Sequence, residues 1–228
     1  MRKISIALSL LIIISISPVY GHKLIAHDES HRDFDNALKI PDHMISWAIY
    51  EDLGVNEAKF YSFEAKKGDP FYASIVIPKM NALENYSPTL VLVSPEDIQN
   101  NDDDFNSLAN AKKFPYESNF PGNEFYEPFG QVTYWERQEI KMEIPMDGKY
   151  FIIVLDEKNQ EGKYSLAIGT IEDFSDENIF LILPQSWWDT KIFVNDYISI
   201  GILFLIIIIL ILIIGLVMKR KIKKKIKT

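Results

Sequence analysis

Three regimes of hydrophobic patterning divide the chain. Arg2 and Lys3 precede a largely apolar stretch from Ile4 to Ile16, and Ser17-Pro18-Val19-Tyr20-Gly21 leads into polar sequence. A basic start, an apolar centre and a small residue at the exit are the order of a secretory signal peptide. The stretch is also short for a membrane span, which takes about 20 apolar residues. Residues 1–21 are therefore expected to be a signal peptide cut after Gly21. At the other end no charged residue occurs from Tyr197 to Met218. At 1.5 Å per residue that stretch is about 33 Å long, enough to cross a hydrocarbon core, and a helix with no polar face does not belong on a soluble surface. Residues 197–218 are expected to be a transmembrane helix.

Between these runs the period shortens to two. Ala58 to Ala65 sets Tyr61 and Phe63 against Ser62 and Glu64, and Glu139 to Ile144 sets Ile140, Met142 and Ile144 against Lys141 and Glu143. Phe71–Ile77, Thr89–Val93 and Tyr164–Ile168 have the same strand character, and Tyr150 to Leu155 is apolar throughout, as a strand buried on both faces would be. Lys66-Lys67-Gly68-Asp69-Pro70, Pro145-Met146-Asp147-Gly148 and Asp156 to Gly162 supply the turn chemistry between them. Short strands with turns between them predict an all-β antiparallel sandwich over 58–170. Phe34–Ile40 and Ser46–Tyr50 fit either a strand or a helical turn, within an N-terminal, histidine-containing segment 22–57. The interval 95–130, rich in Asn, Asp and Pro, resists strand assignment and reads as a long insertion. Residues 171–196, with Phe180 to Leu183 and the Trp187-Trp188 pair, read as a connector lying at a lipid surface.

Charge sets the orientation. Seven basic residues and no acidic one follow Met218, whereas Asp189 and Asp196 lie on the other side of the span. The positive-inside rule then makes 219–228 a cytoplasmic polybasic tail and places the middle of the chain outside, a single-pass type I protein of the cell membrane. The lipid bilayer is its first partner. All 32 acidic residues lie between the two apolar runs with only 15 of the 24 basic ones, so the exported part carries −17. Such a surface excludes nucleic acid, whose phosphates need Lys and Arg; it suits basic or cation-rich surroundings. With no cysteine in the chain, disulfides and thiolate chemistry are excluded, and the outer domain must stand on its hydrophobic core.

The ordered set Tyr61-Ser62-Phe63-Glu64-Ala65-Lys66-Lys67-Gly68-Asp69, Ser87-Pro88-Thr89-Leu90-Val91-Leu92-Val93-Ser94-Pro95, Asp147-Gly148-Lys149-Tyr150-Phe151-Ile152-Ile153-Val154 and Gly162-Lys163-Tyr164-Ser165-Leu166-Ala167-Ile168-Gly169 resembles bacterial and archaeal pre-peptidase C-terminal domains. The resemblance spans about 110 residues. It implies a jelly-roll-like β-sandwich that is not itself catalytic, a binding or accessory domain whose partner would be an extracellular protein, glycan or other ligand. The insertion 95–130 and the absence of a peptidase in this chain depart from the family pattern.

Candidate chemistry is sparse. Four histidines fall early: His22, His27, His31 and His43. Cleavage after Gly21 would leave His22 as the mature N-terminus, whose amine and ring nitrogen can chelate Cu(II) with a further imidazole. His27 and His31 share a face on either a helix or a strand, so His22, His27 and His31 are the candidate copper ligands. Asp102-Asp103-Asp104 offers oxygens to Ca²⁺ without the spacing of an EF-hand. Asn85-Tyr86-Ser87 is a glycosylation sequon. Phe114, Tyr116, Phe120, Phe125, Tyr126 and Phe129 place six aromatic rings in sixteen residues, either as a lid on the core or as a loop offered to a ligand or partner. No Gly-x-Ser-x-Gly, His-Glu-x-x-His or phosphate-cradling glycine loop is present, so a hydrolase is the least favoured reading.

Overall fold

The computed structural model describes residues 22–99, 111–173, 175 and 179–225. The expected signal peptide and Asp102-Asp103-Asp104 lie outside the described residues. The chain divides into two units, residues 1–179 and 180–228.

The first unit is a sandwich of two sheets. One carries, in spatial order, β1 (Lys23–Leu24), β3 (Trp47–Leu53), β11 (Gly162–Ile168), β5 (Pro70–Pro78), β9 (Val132–Glu143) and β8 (Glu124–Glu127). The other carries β2 (Leu38–Lys39), β4 (Ala58–Ala65), β10 (Gly148–Leu155), β6 (Thr89–Val93) and β7 (Lys112–Phe114). Among the named strands all pairings are antiparallel except those of β1 with β3 and β2 with β4, each two residues long at a sheet edge; an isolated parallel bridge also joins Ile45 to Ile171. Residues 22–57 thus enter the sandwich, giving two edge strands and β3. The two edge strands, of two residues each, are too short for periodicity to reveal them, whereas β3 is a full seven-residue strand with no helical turn. The interval 95–130 is likewise more structured than its composition suggests: it holds a five-residue helix, α1 (Pro95–Gln99), and the edge strands β7 and β8.

The inner faces meet in one core that includes Ile49, Tyr61, Phe63, Ile75, Ile152 and Leu166. The five-stranded sheet is apolar on its outer face too, where Phe60, Val91, Val93, Phe151 and Ile153 are covered by Phe34, Ala37 and Ile98. This second layer is why β6 and β10 lack alternation: both of their faces are dry. In β9 the ladder to β5 shifts between Ser74–Glu139 and Val76–Glu136, a bulge that sets Arg137 and Gln138 opposite Ile75. Trp135 and Ile140 both face the core as a result, which a period of two alone would forbid. Gly169 closes β11 with φ +73, its N–H on the Tyr72 carbonyl at 3.0 Å. A β-carbon there would lie 2.1 Å from the Ile45 carbonyl oxygen, so no other residue fits.

The second unit holds α2 (Ile179–Phe193) and α3 (Tyr197–Lys225). Within α3, Tyr197–Arg220 is long and apolar enough to cross a membrane. Asp196 caps it, accepting from the Ser199 N–H at 3.1 Å and the Ser199 hydroxyl at 2.6 Å while pairing with Lys191 Nζ at 2.9 Å.

Candidate metal centre between the sheets

A charged group lies inside the sandwich because two strands carry ionisable residues at core-facing positions. On β3, Ile49 and Leu53 point inward and Glu51 between them does the same; it is 1% exposed. On β4, Tyr61, Phe63 and Ala65 face the core, and the same alternation turns Lys59 inward at 0% exposure. The two meet across the sheets, Lys59 Nζ lying 3.7 Å from Glu51 Oε2 and 3.9 Å from Glu57 Oε1. Glu51 Oε1 accepts from the Tyr61 hydroxyl at 3.1 Å, and the hydroxyls of Tyr61 and Tyr164 are 2.7 Å apart. Burial holds both phenols well above the ordinary tyrosine range, so they serve as neutral hydrogen-bonding groups.

Two imidazoles converge on the same carboxylate oxygen. His31 Nε2 lies 2.6 Å and His27 Nε2 3.3 Å from Glu51 Oε1. Neither residue is in a helix or strand. A turn positions them: Asp28 Oδ1 takes the Ser30 N–H at 3.0 Å, and the Asp28 carbonyl receives both rings, at 2.9 Å from His27 Nδ1 and 3.0 Å from His31 Nδ1. The rings stand edge to face with centroids 4.9 Å apart.

The chemistry of these partners is one-sided. A carbonyl oxygen only accepts, so each Nδ1 must carry its proton. A neutral imidazole then has a bare lone pair at Nε2, and both Nε2 atoms face an acceptor, Glu51 Oε1, with the Tyr50 carbonyl also 3.3 Å from His27 Nε2. Three lone pairs directed at one point repel unless a cation lies among them, either protons on the rings or a metal ion. An Nδ1–H held by a backbone carbonyl with Nε2 left free is also the arrangement that orients metal-binding histidines. Among the described residues His27, His31 and Glu51 form a group whose ligand atoms all lie within 4.8 Å of one another. Two nitrogens and one oxygen suit Cu(II) or Zn²⁺ with a further position open. The donor set fits a metal ion.

The other sequence candidates lie elsewhere. His22 is outside this group; its Nδ1 is 2.6 Å from the Ser46 hydroxyl. His43 is buried against Phe63 and Phe71, its Nε2 3.7 Å from Asp69 Oδ2. Asn85 is exposed in a turn, whereas Ser87 of its sequon is buried. The aromatic set divides. Phe114 packs on the core, and Tyr116 and Phe120 enclose the Arg137 guanidinium at 5.1 and 5.2 Å. Phe129 is half-buried, while Phe125 and Tyr126 stand in solvent on β8. Glu51 and Lys59 were not among the sequence candidates.

No family model matches the chain, and no curated protein matches it. Solved structures similar to it are β-sandwiches. The pre-peptidase C-terminal domain of a collagenase from Bacillus anthracis is 18% identical, with a TM-score of 0.33 over 57% of this chain and 91% of that one. PliG from Salmonella Typhimurium, a periplasmic inhibitor of g-type lysozyme, is 17% identical, with a TM-score of 0.31 over 58% and 96%. CorA, a surface-associated copper-binding protein of Methylomicrobium album BG8, is 10% identical, with a TM-score of 0.30 over 67% and 99%. Each likeness is one of fold alone.

Proposed function

We propose that this chain is a non-catalytic binding domain anchored in the cell membrane. The sandwich lies outside, residues 219–228 lie in the cytoplasm, and the ligand is a transition-metal ion, copper(II) foremost, held by His27, His31 and Glu51. The anchor rests on the apolar length of Tyr197–Arg220, and the orientation on the basic residues after Met218 and the signal-like start. The metal rests on one observation: both nitrogens of both imidazoles face acceptors in a largely dry site. Copper(II) leads because it stands at the top of the affinity order for nitrogen and oxygen ligands. Lys59, 3.7 Å from the second oxygen of Glu51, holds that oxygen away from the rings and leaves Oε1 turned to them.

The test is a Cu(II) titration of the full-length protein in detergent micelles, followed by calorimetry, with His27→Ala and His22→Ala alongside. The expected result is one equivalent of tightly bound copper, weakened at least tenfold by His27→Ala and unchanged by His22→Ala. Loss on His22→Ala alone would move the site to the mature N-terminus, where the terminal amine and ring of His22 chelate the ion. Binding indifferent to both substitutions would overturn the metal reading.

A further inference from the structure

The six-stranded sheet has an outer face that does not resemble an ordinary wet sheet surface, since Ala48, Ser74, Ser165 and Ala167 on it are all buried. Its cross-strand rows are small in the middle: Ala48 pairs with Ala167, Ala167 with Ser74, and Ser165 lies between Tyr50 and Val76. Rings rise around this floor. Tyr50 and Tyr72 stand on β3 and β5, and Tyr134 and Phe125 face each other across β9 and β8. They bound a cleft of about 360 Å³, within the range of small-molecule sites. It lies on the face opposite the core and is lined by neither His27, His31 nor Glu51.

Carboxylates outnumber cations on its wall, three to the single guanidinium of Arg137. Glu127, Glu136 and Glu139 line it. Glu139 is bridged by Lys141 at 2.7 Å, and Glu127 caps the N–H groups of Phe129 and Gly130, whereas Glu136 is exposed. Arg137, which also lines the cleft, has its donors committed to the protein. The Arg137 guanidinium donates to the carbonyls of Glu84, Tyr86 and Pro121. The Tyr134 hydroxyl is buried at the cleft wall beside the Tyr50 phenol without a well-formed hydrogen bond.

We infer that this cleft binds an organic cation, a primary ammonium or guanidinium group on a short aliphatic chain, as a free small molecule. Aromatic faces attract such a head group through the ring quadrupole, the exposed Glu136 carboxylate receives its N–H donors, and the Ala and Ser floor admits the chain. A neutral sugar would satisfy the rings and leave the excess negative charge uncompensated.

The test is calorimetry of the full-length protein with agmatine, with N-acetylglucosamine as the neutral probe and a basic peptide, oligo-arginine, as the macromolecular one. Saturable agmatine binding is expected, weakened about tenfold by Glu136→Gln and by Tyr134→Phe and abolished by Ala167→Leu, which fills the floor. Copper uptake should be unchanged in all three variants, so the cleft and the metal centre are tested separately. No saturable agmatine binding, binding indifferent to Glu136→Gln, or tighter binding of the sugar would overturn the inference. Oligo-arginine binding without agmatine binding would overturn the small-molecule assignment.

Discussion

Replacing Glu51 by Gln keeps the shape of the side chain and one acceptor oxygen while removing the charge that faces Lys59. Both groups are essentially unexposed, at 1% and 0%, so water cannot compensate. What remains for the ammonium is Glu57, 3.9 Å away and itself 19% exposed. Breaking a buried pair by removing one partner costs about 3–5 kcal/mol, and the residual Glu57 contact puts the expected cost near the lower end, about 3 kcal/mol. At about 2–4 °C per kcal/mol for a domain of this size, the melting temperature should fall by about 6–12 °C. Removing both charges behaves differently: Glu51→Gln with Lys59→Met leaves no isolated ion, and the double variant should return to within about 1 kcal/mol of the parent. The assay is thermal unfolding in detergent with EDTA present, followed by near-ultraviolet circular dichroism, so that metal binding does not enter. A single variant within 1 kcal/mol of the parent, or a double variant no better than the single, would refute the argument that these two groups are a dry, mutually dependent pair.

Three further outcomes follow from the geometry. Gly169→Ala forces a side chain onto a φ of +73 and into the Ile45 carbonyl; it should cost at least about 2 kcal/mol, read as a lowered melting temperature. Arg137→Met strips donors from the carbonyls of Glu84, Tyr86 and Pro121 and should cost about 2–4 kcal/mol, with hydrogen exchange rising first around residues 116–122. The Asp196 carboxyl is held at about 2 against an ordinary 3.8, chiefly by the Ser199 hydroxyl and then by Lys191. Because its folded value is depressed, its contribution is complete above about pH 4 and is lost as pH falls towards about 2. An NMR titration should show that midpoint and its rise in Ser199→Ala, and an unshifted midpoint in the parent would contradict the cap.

How much of this was legible follows from what each residue must satisfy. The strands around Tyr61, Ile140 and Leu166 announced themselves because polar residues alternate with their core-facing ones, and Tyr150–Leu155 because neither of its faces is wet. The edge strands β1 and β2 did not, since two residues paired to distant strands leave no period to read. His27 and His31 were singled out as one pair, yet a turn around Asp28, rather than a helix or strand, brings them together. Glu51 had a signal that went unused. It sits between Ile49 and Leu53 at a core-facing parity, but parity has meaning only once the segment is known to be a strand, and Ser46–Tyr50 fitted a helical turn as well. Lys59 carried the same signal in a strand whose period was clear. An ionisable residue at a core-facing position of an alternating strand therefore repays attention before the fold is known.

The central claim is that two imidazoles and a carboxylate between the sheets take a metal ion. Electron paramagnetic resonance of the full-length protein loaded with one equivalent of Cu(II) tests it most directly, with His22→Ala and His27→Ala measured beside it. The account predicts coupling to two imidazole nitrogens in a mixed nitrogen and oxygen field, unchanged in His22→Ala and reduced to one nitrogen in His27→Ala. A spectrum of solvated copper, or one that only His22→Ala alters, would contradict it.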